Sequence, residues 1–412
     1  MMLIKQIKAR EILDSRGNPT VEAEIKLKNG LCASASVPSG ASTGIHEALE
    51  LRDGGKRYNG LGVLTAVRNI ERIIAPKLVG RRVDQQQRID QQMIDLDGTA
   101  NKKKLGANSI LAVSMACART ASLALKKPLY RHLNQLGKFG KIKKMPYATM
   151  NILNGGRHAD NGLSIQEFMI VPKQKKFAAR VRAGAEIFHA LKSILVAKKL
   201  VALVGDEGGY APRLKNNEQA IQLIIQAIKK AGYRPGGDVN LGMDLAASEF
   251  YRQKRYFLQG QGISADSMIK LLDRWMNKYP FELIEDPLAE DDWLNWEKIT
   301  GFLGGSVLLV GDDLFATNFD RLDEGINQGV ANAILIKLNQ IGSLTETLNT
   351  IKLAKAYDYQ VIVSHRSGET TDDFISDLAV GANADYIKTG SLSRGERVGK
   401  YNRLMAIENE IF

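Results

Sequence analysis

The second half of the chain repeats one pattern, in which a short apolar run ends in a charged residue and a segment with helical spacing follows most of the runs. Short apolar runs bounded by polar residues or glycine are typical of buried strands. The charged residues at the ends of the runs are Asp244, Glu285, Asp312, Lys337, His365 and Lys388. Strands that alternate with helices and carry charges at their carboxyl ends predict a β/α barrel with a site on its top face.

Lys337 lies inside the apolar run at 333–339. In one interpretation, the lysine merely ends the strand and turns to solvent. In the other it is buried, which is costly unless the ammonium group is used, and burial lowers its pKa until it can act as a base near neutral pH. The run alone does not decide between the two, but the charged ends of the neighbouring strands favour the second.

Length and composition restrict the class of protein. A chain of 412 residues is longer than one ordinary domain, so we expect two. The only cysteines are Cys32 and Cys117, which excludes a disulfide framework and fits a reducing cytoplasm. We find no apolar stretch long enough to span a membrane and no secretory signal pattern. The net charge of +12 permits weak attraction to nucleic acid, but the lysine clusters are short and no nucleic-acid-binding motif is present.

The first third of the chain has the pattern of a small α+β domain. Apolar and charged residues alternate at 21–28, which predicts the middle strand of a three-stranded antiparallel meander with flanking strands at about 3–12 and 31–37. Helical spacing follows at 63–74, 88–96 and 108–125, with Asn108 or Ser109 as the cap of the last helix. The glycines and hydroxyls at 39–44 indicate either a plain turn or a mobile loop with oxygen donors. The polar segment at 126–144 predicts a linker.

The predicted barrel begins with an exception to the strand–helix pattern. Strand patterns at about 148–154 and 163–171 follow each other without a helix between them, where an ordinary eightfold barrel would place one. Long helical patterns follow at 177–200 and 217–231, and the repeated units begin after them.

The charged strand ends divide into an acidic and a basic group. Asp244, Glu285 and Asp312 end consecutive strands, and hard oxygen ligands without cysteine suit Mg²⁺ rather than zinc. Carboxylates packed together need a cation or protons. The later strands carry Lys337, His365, Arg366 and Lys388. A cationic arc that faces a metal predicts a site for a small polyanion.

His365, already named, and three further residues complete the predicted site chemistry. His158 and His365 are either satisfied core histidines or site residues, and their places among charges favour the latter. Glu167 and Glu207 lie on the far side of the predicted barrel, where they are able to act as acid partners of the lysine. Such a site supports proton abstraction next to a carboxylate, followed by elimination of water.

Several motifs occur in a fixed order along the chain. They are DSRGNPTVE at 14–22, the loop at 39–44, NGGRHA at 154–159, QEFM at 166–169, GDEGG at 205–209, EDP at 285–287, GDDL at 311–314, LIKLNQIGS at 335–343, SHRSGET at 364–370 and KTGS at 388–391. By these motifs the chain resembles the enolase family over nearly its whole length. The resemblance implies an α/β fold with a small N-terminal α+β cap domain, at 1–130, and a C-terminal β/α (TIM-like) barrel, at 140–412, with an antiparallel first strand pair.

The resemblance also implies an activity, the Mg²⁺-dependent dehydration of 2-phospho-D-glycerate to phosphoenolpyruvate and its reverse. Lys337 would remove the C2 proton, and Glu207, supported by Glu167, would assist departure of the C3 hydroxyl. The implied metal ligands are Asp244, Glu285 and Asp312 for one Mg²⁺ and Ser42 for a second. The implied substrate-binding residues are His158, Gln166, His365, Arg366, Ser367 and Lys388.

Two other classes of function compete with this one. A lysine-dependent aldolase would form a Schiff base and would not need the three carboxylates. A non-catalytic binding protein would have a damaged site, whereas every implied catalytic position is filled here. An additional binding role through the basic surface is compatible with an intact site, and the sequence does not name a partner for it. The family habit implies a homodimer or higher homo-oligomer, a cytoplasmic location and no membrane partner. Nucleic-acid association has no motif to support it.

Overall fold

The computed structural model describes residues 2–40 and 44–412. Its first part is an antiparallel sheet of β1 (Ile4–Leu13), β2 (Pro19–Leu27) and β3 (Cys32–Ser36) in that order, which is the predicted meander. Val21, Ala23, Ile25 and Leu27 are fully buried, because alternate residues of a strand point to the same face. The helices of this part are α1 (Leu64–Asn69), α2 (Ala75–Leu78), α3 (Gln86–Asp97) and α4 (Ala107–Ala124), with a π-helical turn at Ile70–Ile74 between α1 and α2.

The predicted cap of α4 is wrong. The residue before the helix is Gly106, which has φ 92°, and no side chain caps the helix. Asn108 Oδ1 instead accepts hydrogen bonds from the backbone of Leu51 (3.2 Å) and Ser109 (3.2 Å). The Ser109 hydroxyl donates to the Leu105 carbonyl at 2.7 Å. Both polar side chains are thus used for contacts with neighbouring segments, which the capping pattern cannot reveal.

The predicted linker at 126–144 contains a helix, α5 (Leu129–Gly137). Tyr130 and Leu133 on one face of this helix are buried. The Tyr130 backbone N–H donates to Asp377 at 3.1 Å, and Asn134 donates to the Gly381 carbonyl at 2.9 Å. The segment is polar and contains glycine, but its apolar residues at helical spacing pack on the barrel, so it forms a helix rather than a linker.

The second part of the chain is a closed eight-stranded barrel with helices outside it. Its strands are β4 (Tyr147–Asn154), β5 (Glu167–Pro172), β6 (Val239–Asp244), β10 (Phe281–Glu285), β11 (Leu308–Gly311), β12 (Ala333–Ile336), β13 (Gln360–Ser364) and β14 (Tyr386–Lys388). A small separate sheet contains β7 (Tyr251–Arg252), β8 (Arg255–Leu258) and β9 (Gln261–Ile263). The outer helices are α6 (Phe177–Ala197), α7 (Asn217–Lys230), α8 (Ala265–Lys278), α9 (Trp293–Leu303), α10 (Phe319–Gln328), α11 (Leu338–Ile341), α12 (Leu344–Ala356), α13 (Phe374–Gly381) and α14 (Gly395–Ile411).

Strand direction confirms the predicted fold class. β4 and β5 pair antiparallel, as do β5 and β6, and the other neighbouring pairs are parallel. A short connection suffices between antiparallel strands, whereas parallel strands need a crossover helix. The absence of a helical pattern between the first two predicted strands therefore reflects the reversed direction of β5.

The barrel register brings the charged strand ends to one face. Glu285 is the register partner of Asp244, which is also the partner of Glu167, and Ser364 is the partner of Lys388. The interior below them is apolar and buried, and it is formed by Met169, Val171, Leu283, Val310, Ala333, Leu335, Ile362 and Tyr386. The strands thus end in a layer of charges on top of a packed core.

The first part of the chain contacts this face of the barrel. Ser39 forms a β-bridge with Gly368, and the Ser15 backbone N–H donates to the Glu369 carbonyl at 2.7 Å. Arg119 of α4 forms an ion pair with Asp372 at 2.7 Å. Within the described helices, no single one is long and apolar enough to span a membrane, and only α4 and α5 pass that test together, as a pair bent by 111°.

Candidate active site

The strand ends surround a cavity of about 410 Å³, counting its open mouth. Of the residues implied by the sequence, its walls contain His158, Gln166, Glu167, Glu207, Asp244, Asp312, Lys337, His365, Arg366, Ser367 and Lys388. Glu285 lies directly behind Lys388, whose ammonium group contacts it. Ser42 lies outside the described residues. The structure therefore brings together the described members of the sequence-based set. They come from β5, β6, β10 and β14, from the residues that follow β4, β11, β12 and β13, and, for Glu207, from the connection between α6 and α7.

Lys388 is the central cation of the acidic half of this cavity. Its Nζ lies 2.7 Å from Glu285, 3.1 Å from Glu167 and 3.2 Å from Asp244. All four side chains are buried, with exposed fractions of at most 4%. Burial by itself would lower the pKa of Lys388, but Glu167 and Glu285 outweigh it and hold the pKa well above its usual range. Burial and the Asp244 charge raise the pKa of Glu285 well above its ordinary value.

Lys337 makes the second lysine–carboxylate contact of the site, with Asp312. Its side chain is 13% exposed and faces the cavity, so the solvent-directed interpretation does not hold. The expected lowering of its pKa is wrong for this arrangement. Burial acts in that direction, but the Asp312 charge outweighs it and raises the pKa of Lys337. Gln340 donates to the other oxygen of Asp312 at 2.9 Å.

Two neighbouring carboxylates of the cavity, Glu167 and Glu207, have pKa values shifted in opposite directions. Burial and the charge of Glu207 raise the pKa of Glu167 well above its usual value. Burial would also raise the pKa of Glu207, but His158 and His365 outweigh it and hold that pKa well below its usual range. Asn151 donates to Glu207 Oε2 at 2.9 Å. One carboxyl of the pair thus favours the protonated form and the other the ionised form.

The two histidines face this pair. His158 Nε2 lies 3.7 Å from Glu207, and His158 Nδ1 lies 3.8 Å from Glu167. His365 Nε2 lies 3.5 Å from Glu207 Oε2. Burial lowers the pKa of both rings, to about 3 for His365. Burial therefore favours the neutral form of both imidazoles, which suits them to hydrogen bonding within the cavity.

Two family models match the chain. The model of the enolase N-terminal domain matches residues 4–133, and the model of the enolase C-terminal TIM barrel domain matches residues 142–412. The chain belongs to the enolase family. It is therefore a lyase-type enzyme of the enolase superfamily, whose members use a divalent metal and act on small molecules.

The donor set of this enolase-family site fits a cation that prefers oxygen. Asp244, Glu285 and Asp312 are buried carboxylates, and the cavity contains no sulfur ligand among its described residues. Oxygen atoms of Asp286, Asp312 and Asp313 lie within 4.8 Å of one another. Within the described residues, two buried oxygens beside Asp244 have no hydrogen-bond partner: Gln166 Oε1 and Glu167 Oε2. These carboxylates together carry more negative charge than Lys337 and Lys388 neutralise, and some of the oxygens around them lack a hydrogen-bond donor.

Arg366 contacts a residue that the sequence analysis missed, Glu47. Its Nη1 lies 2.8 Å from Glu47 Oε2 and 3.1 Å from Asn339, and its Nη2 lies 3.1 Å from Glu47 Oε1. Glu47 also accepts from the Gly44 backbone N–H at 3.1 Å. Glu47 lies three residues after the glycine-rich loop at 39–44, which is the one feature of the sequence that could have indicated a site residue. It does not lie at the end of a predicted strand or helix.

The aspartate neighbours of two predicted ligands were also missed. Asp286 accepts hydrogen bonds from the backbone N–H groups of Asp312 (3.0 Å) and Asp313 (2.9 Å). It therefore joins the ends of β10 and β11 and holds the backbone of Asp312 and Asp313 in place. The doublets at 285–286 and 312–313 were visible in the sequence, but only the first member of each was assigned a role.

Proposed function

We propose that the protein catalyses the reversible dehydration of 2-phospho-D-glycerate to phosphoenolpyruvate, the enolase step of glycolysis and gluconeogenesis. The observation that carries this proposal is the placement of a lysine, Lys337, and an acid pair, Glu167 and Glu207, around one cavity. The reaction needs a base for the C2 proton and an acid for the C3 hydroxyl on different sides of the substrate.

Lys337 is the proposed base. It has to be neutral to accept the C2 proton, while its contact with Asp312 favours the charged form. The carboxylate of Asp312 therefore controls how readily Lys337 loses its own proton. We assign Asp244, Glu285 and Asp312 to one Mg²⁺ and Ser42 to a second. Bound Mg²⁺ would supply positive charge that favours the doubly charged carboxylate formed when C2 loses its proton.

Glu207 and Glu167 are the proposed acid pair. The raised pKa of Glu167 keeps a proton available, whereas Glu207 stays ionised beside His158 and His365. In the proposed step the C3 hydroxyl leaves as water with a proton from this pair, and Glu207 orients the hydroxyl. The pKa difference supports the division of roles, because one member donates while the other accepts a hydrogen bond.

The remaining cations are proposed to bind the two anionic ends of the substrate. Arg366 and Ser367 would bind the phosphate, for which the planar guanidinium of Arg366 is suited. Lys388 would bind the carboxylate, which is shared by the substrate and the intermediate. Gln166, His158 and His365 would line the pocket between these ends. Glu47 now occupies the guanidinium of Arg366, so binding of phosphate there requires exchange of one anion for another.

The experiment is an absorbance assay in the phosphoenolpyruvate band with purified protein, 2-phosphoglycerate and Mg²⁺. A rise that a chelator abolishes supports the proposal. The absence of a rise in a folded, Mg²⁺-supplied sample contradicts it. Trapping with borohydride tests the aldolase alternative, because a Schiff base would become a stable adduct on Lys337 and the elimination would not.

We also propose the organisation expected from the family. The N-terminal domain at 1–130 would carry the loop at 39–44 over the barrel domain at 140–412, and the protein would work in the cytoplasm as a homodimer or higher homo-oligomer. Two cysteines without a disulfide, Cys32 and Cys117, support the cytoplasmic assignment. Light scattering at several protein concentrations would test the oligomer, and a monomeric mass throughout would contradict it.

A further inference from the structure

Arg397 of α14 is a fully buried arginine that has no part in the proposed reaction. Its guanidinium lies behind the loop that follows β13. It donates to the carbonyls of Arg366 at 2.7 Å and Ser367 at 2.6 Å, and to the carbonyl of Asp206 at 3.3 Å. Burial of a guanidinium is costly unless several hydrogen bonds satisfy it, so its orientation is well defined.

The guanidinium also contacts one ring nitrogen of His365, Nδ1. A guanidinium has only donors and stays protonated in proteins, so the nitrogen that faces it must present a lone pair. The ring hydrogen of the neutral imidazole then lies on Nε2. This nitrogen faces Glu207 Oε2 at 3.5 Å.

We propose that Arg397 is a positioning residue, which fixes His365 as the neutral tautomer with hydrogen on Nε2, so that this N–H is directed toward the Glu207 carboxylate. The inference rests on the proposed role of Glu207 in loss of the C3 hydroxyl. It adds a cause for the ionised state of Glu207. In the opposite tautomer a lone pair of Nε2 would face the carboxylate, and the imidazole would repel the charge that it now stabilises.

Packing at Gly390 shows how closely Arg397, Glu207 and His365 are held together. A side-chain Cβ at this glycine, which has φ 78°, would lie 2.8 Å from Arg397 Cδ, 2.9 Å from the Glu207 carbonyl oxygen and 3.1 Å from His365 Cε1. The three residues therefore meet around a point that only a glycine leaves open. The next residue, Ser391, donates its backbone N–H to the Glu207 carbonyl at 2.9 Å, so the same loop positions the backbone of Glu207.

A purely structural role for Arg397 makes a different prediction. If the guanidinium only held the carbonyls of residues 366 and 367, its removal would destabilise the loop and leave the tautomer of His365 unchanged. The tautomer of His365 thus distinguishes a role for Arg397 in positioning the histidine from a role in anchoring the loop alone. It can be measured without substrate.

The test uses ring-¹⁵N-labelled histidine and nitrogen–proton correlation spectra of the full chain. The sequence has 5 histidines, and the signal of His365 is identified by its loss in His365→Gln. We expect the parent to show His365 with hydrogen on Nε2. In Arg397→Met this pattern should give way to the other tautomer or to exchange between the two. In Arg397→Lys, which keeps one donor, it should be partly restored.

The matched control is Arg403→Met. Arg403 lies on the same helix, and it forms an ion pair with the buried Asp377 at 2.7 Å, away from His365. We expect this variant to keep the parent tautomer and kcat. For Arg397→Met we expect kcat to fall about 10- to 100-fold, the usual effect of removing a group that orients a site residue, with a smaller change in KM.

Three results would overturn the inference. One is a parent His365 that carries hydrogen on Nδ1 or on both nitrogens, and this result needs no variant to fold. The second is an unchanged tautomer in Arg397→Met. The third is an equal loss of kcat in the Arg403→Met control. If the protein fails to turn over 2-phosphoglycerate but its His365 tautomer depends on Arg397, the proposed function fails while the positioning contact stands.

Discussion

The ammonium group of Lys337 contacts the carboxylate of Asp312, so the proposed base and a proposed metal ligand share one ion pair. The contact raises the pKa of Lys337 against the effect of burial, and it lowers the pKa of Asp312 against the same effect. Gln340 holds the second oxygen of Asp312 at 2.9 Å, so the carboxylate cannot turn away from the lysine without losing a hydrogen bond. Any change in the charge near Asp312 therefore alters the proton affinity of Lys337.

Replacement of Lys337 by alanine should remove proton abstraction and spare binding. We expect kcat to fall about 100- to 10,000-fold, because Lys337 is the proposed base and a positioned general base contributes about this much to a rate. Exchange of the C2 hydrogen with solvent deuterium, followed by NMR, measures the step directly. Binding of 2-phosphoglycerate, measured by calorimetry, should persist because Arg366 and Lys388 remain. Exchange at the parent rate in Lys337→Ala would refute the base assignment.

Replacement of Gly390 by alanine should destabilise the protein through the clash around Arg397 and Glu207. The added Cβ would lie within 3 Å of both residues at a positive φ of 78°, so we expect the free energy of unfolding to fall by about 1–3 kcal/mol. Gly399→Ala is the control. Gly399 lies within α14 with nothing within 4 Å of an added Cβ, and alanine there should stabilise the helix by about 1 kcal/mol. Equal effects of the two substitutions in urea unfolding would contradict this account.

The sequence was sufficient for the barrel and most of the site because both follow from local pattern and register. Once Phe281–Glu285 and Val239–Asp244 are parallel neighbours, Glu285 and Asp244 must lie side by side. The same argument applies to Ser364 and Lys388 on the last two strands. The strand pattern and the charged residue at its end are both local features of the sequence. Closure of the barrel then brings the charged residues of different strands together.

The features that the sequence did not reveal depend on pairing between distant elements. Arg397 lies in a helical pattern where an arginine is typically exposed, and only the tertiary structure shows its burial. Glu47 precedes the barrel by about one hundred residues and meets Arg366 only when the two parts of the chain are in contact. The pKa of Lys337 was predicted from burial alone, whereas its sign depends on the partner carboxylate of Asp312.

Glu282 near the lower end of the barrel should contribute to stability at neutral pH. It accepts hydrogen bonds from Lys173 (2.6 Å), Asn240 (2.6 Å) and Tyr386 (2.5 Å). Burial would raise its pKa, but the hydrogen bonds, led by that from Lys173, outweigh it and hold the pKa below the ordinary 4.5. Because the folded pKa is the lower one, this stabilisation is complete above the unfolded pKa and is lost as the pH falls through the folded pKa.

Glu282→Gln should therefore lower the free energy of unfolding by about 1–3 kcal/mol at neutral pH, and by progressively less below about pH 4. Urea unfolding across this pH range provides the measurement. Glu324→Gln, on the exposed side of α10, is the control, and its stability profile should follow the parent. A Glu282→Gln profile that runs parallel to the parent at every pH would show that the carboxylate carries no such pKa shift.

Mg²⁺ should stabilise the folded protein without substrate, and this increment should depend on Asp244. Ligand that binds only the folded state adds about 2.7 kcal/mol at one hundred times its Kd. Asp244 lies with Glu167 and Glu285 around the single ammonium group of Lys388. Asp244→Asn removes one charge from this crowded acidic group, so the metal-free variant should unfold at a temperature similar to or higher than that of the parent.

The same substitution should abolish most of the Mg²⁺-dependent increase in unfolding temperature. Asp244→Asn should therefore keep or raise the unfolding temperature without Mg²⁺, and lower it relative to the parent with Mg²⁺. A mutation that merely damaged the fold would lower stability with and without Mg²⁺. Asp291→Asn is the matched control, because Asp291 is an acidic residue with a 55% exposed side chain that pairs with His46 outside the cluster. Thermal unfolding at constant ionic strength measures all three proteins. An undiminished Mg²⁺ increment in Asp244→Asn would remove Asp244 from the metal site, whereas a loss confined to this variant would link the buried carboxylates to the cation.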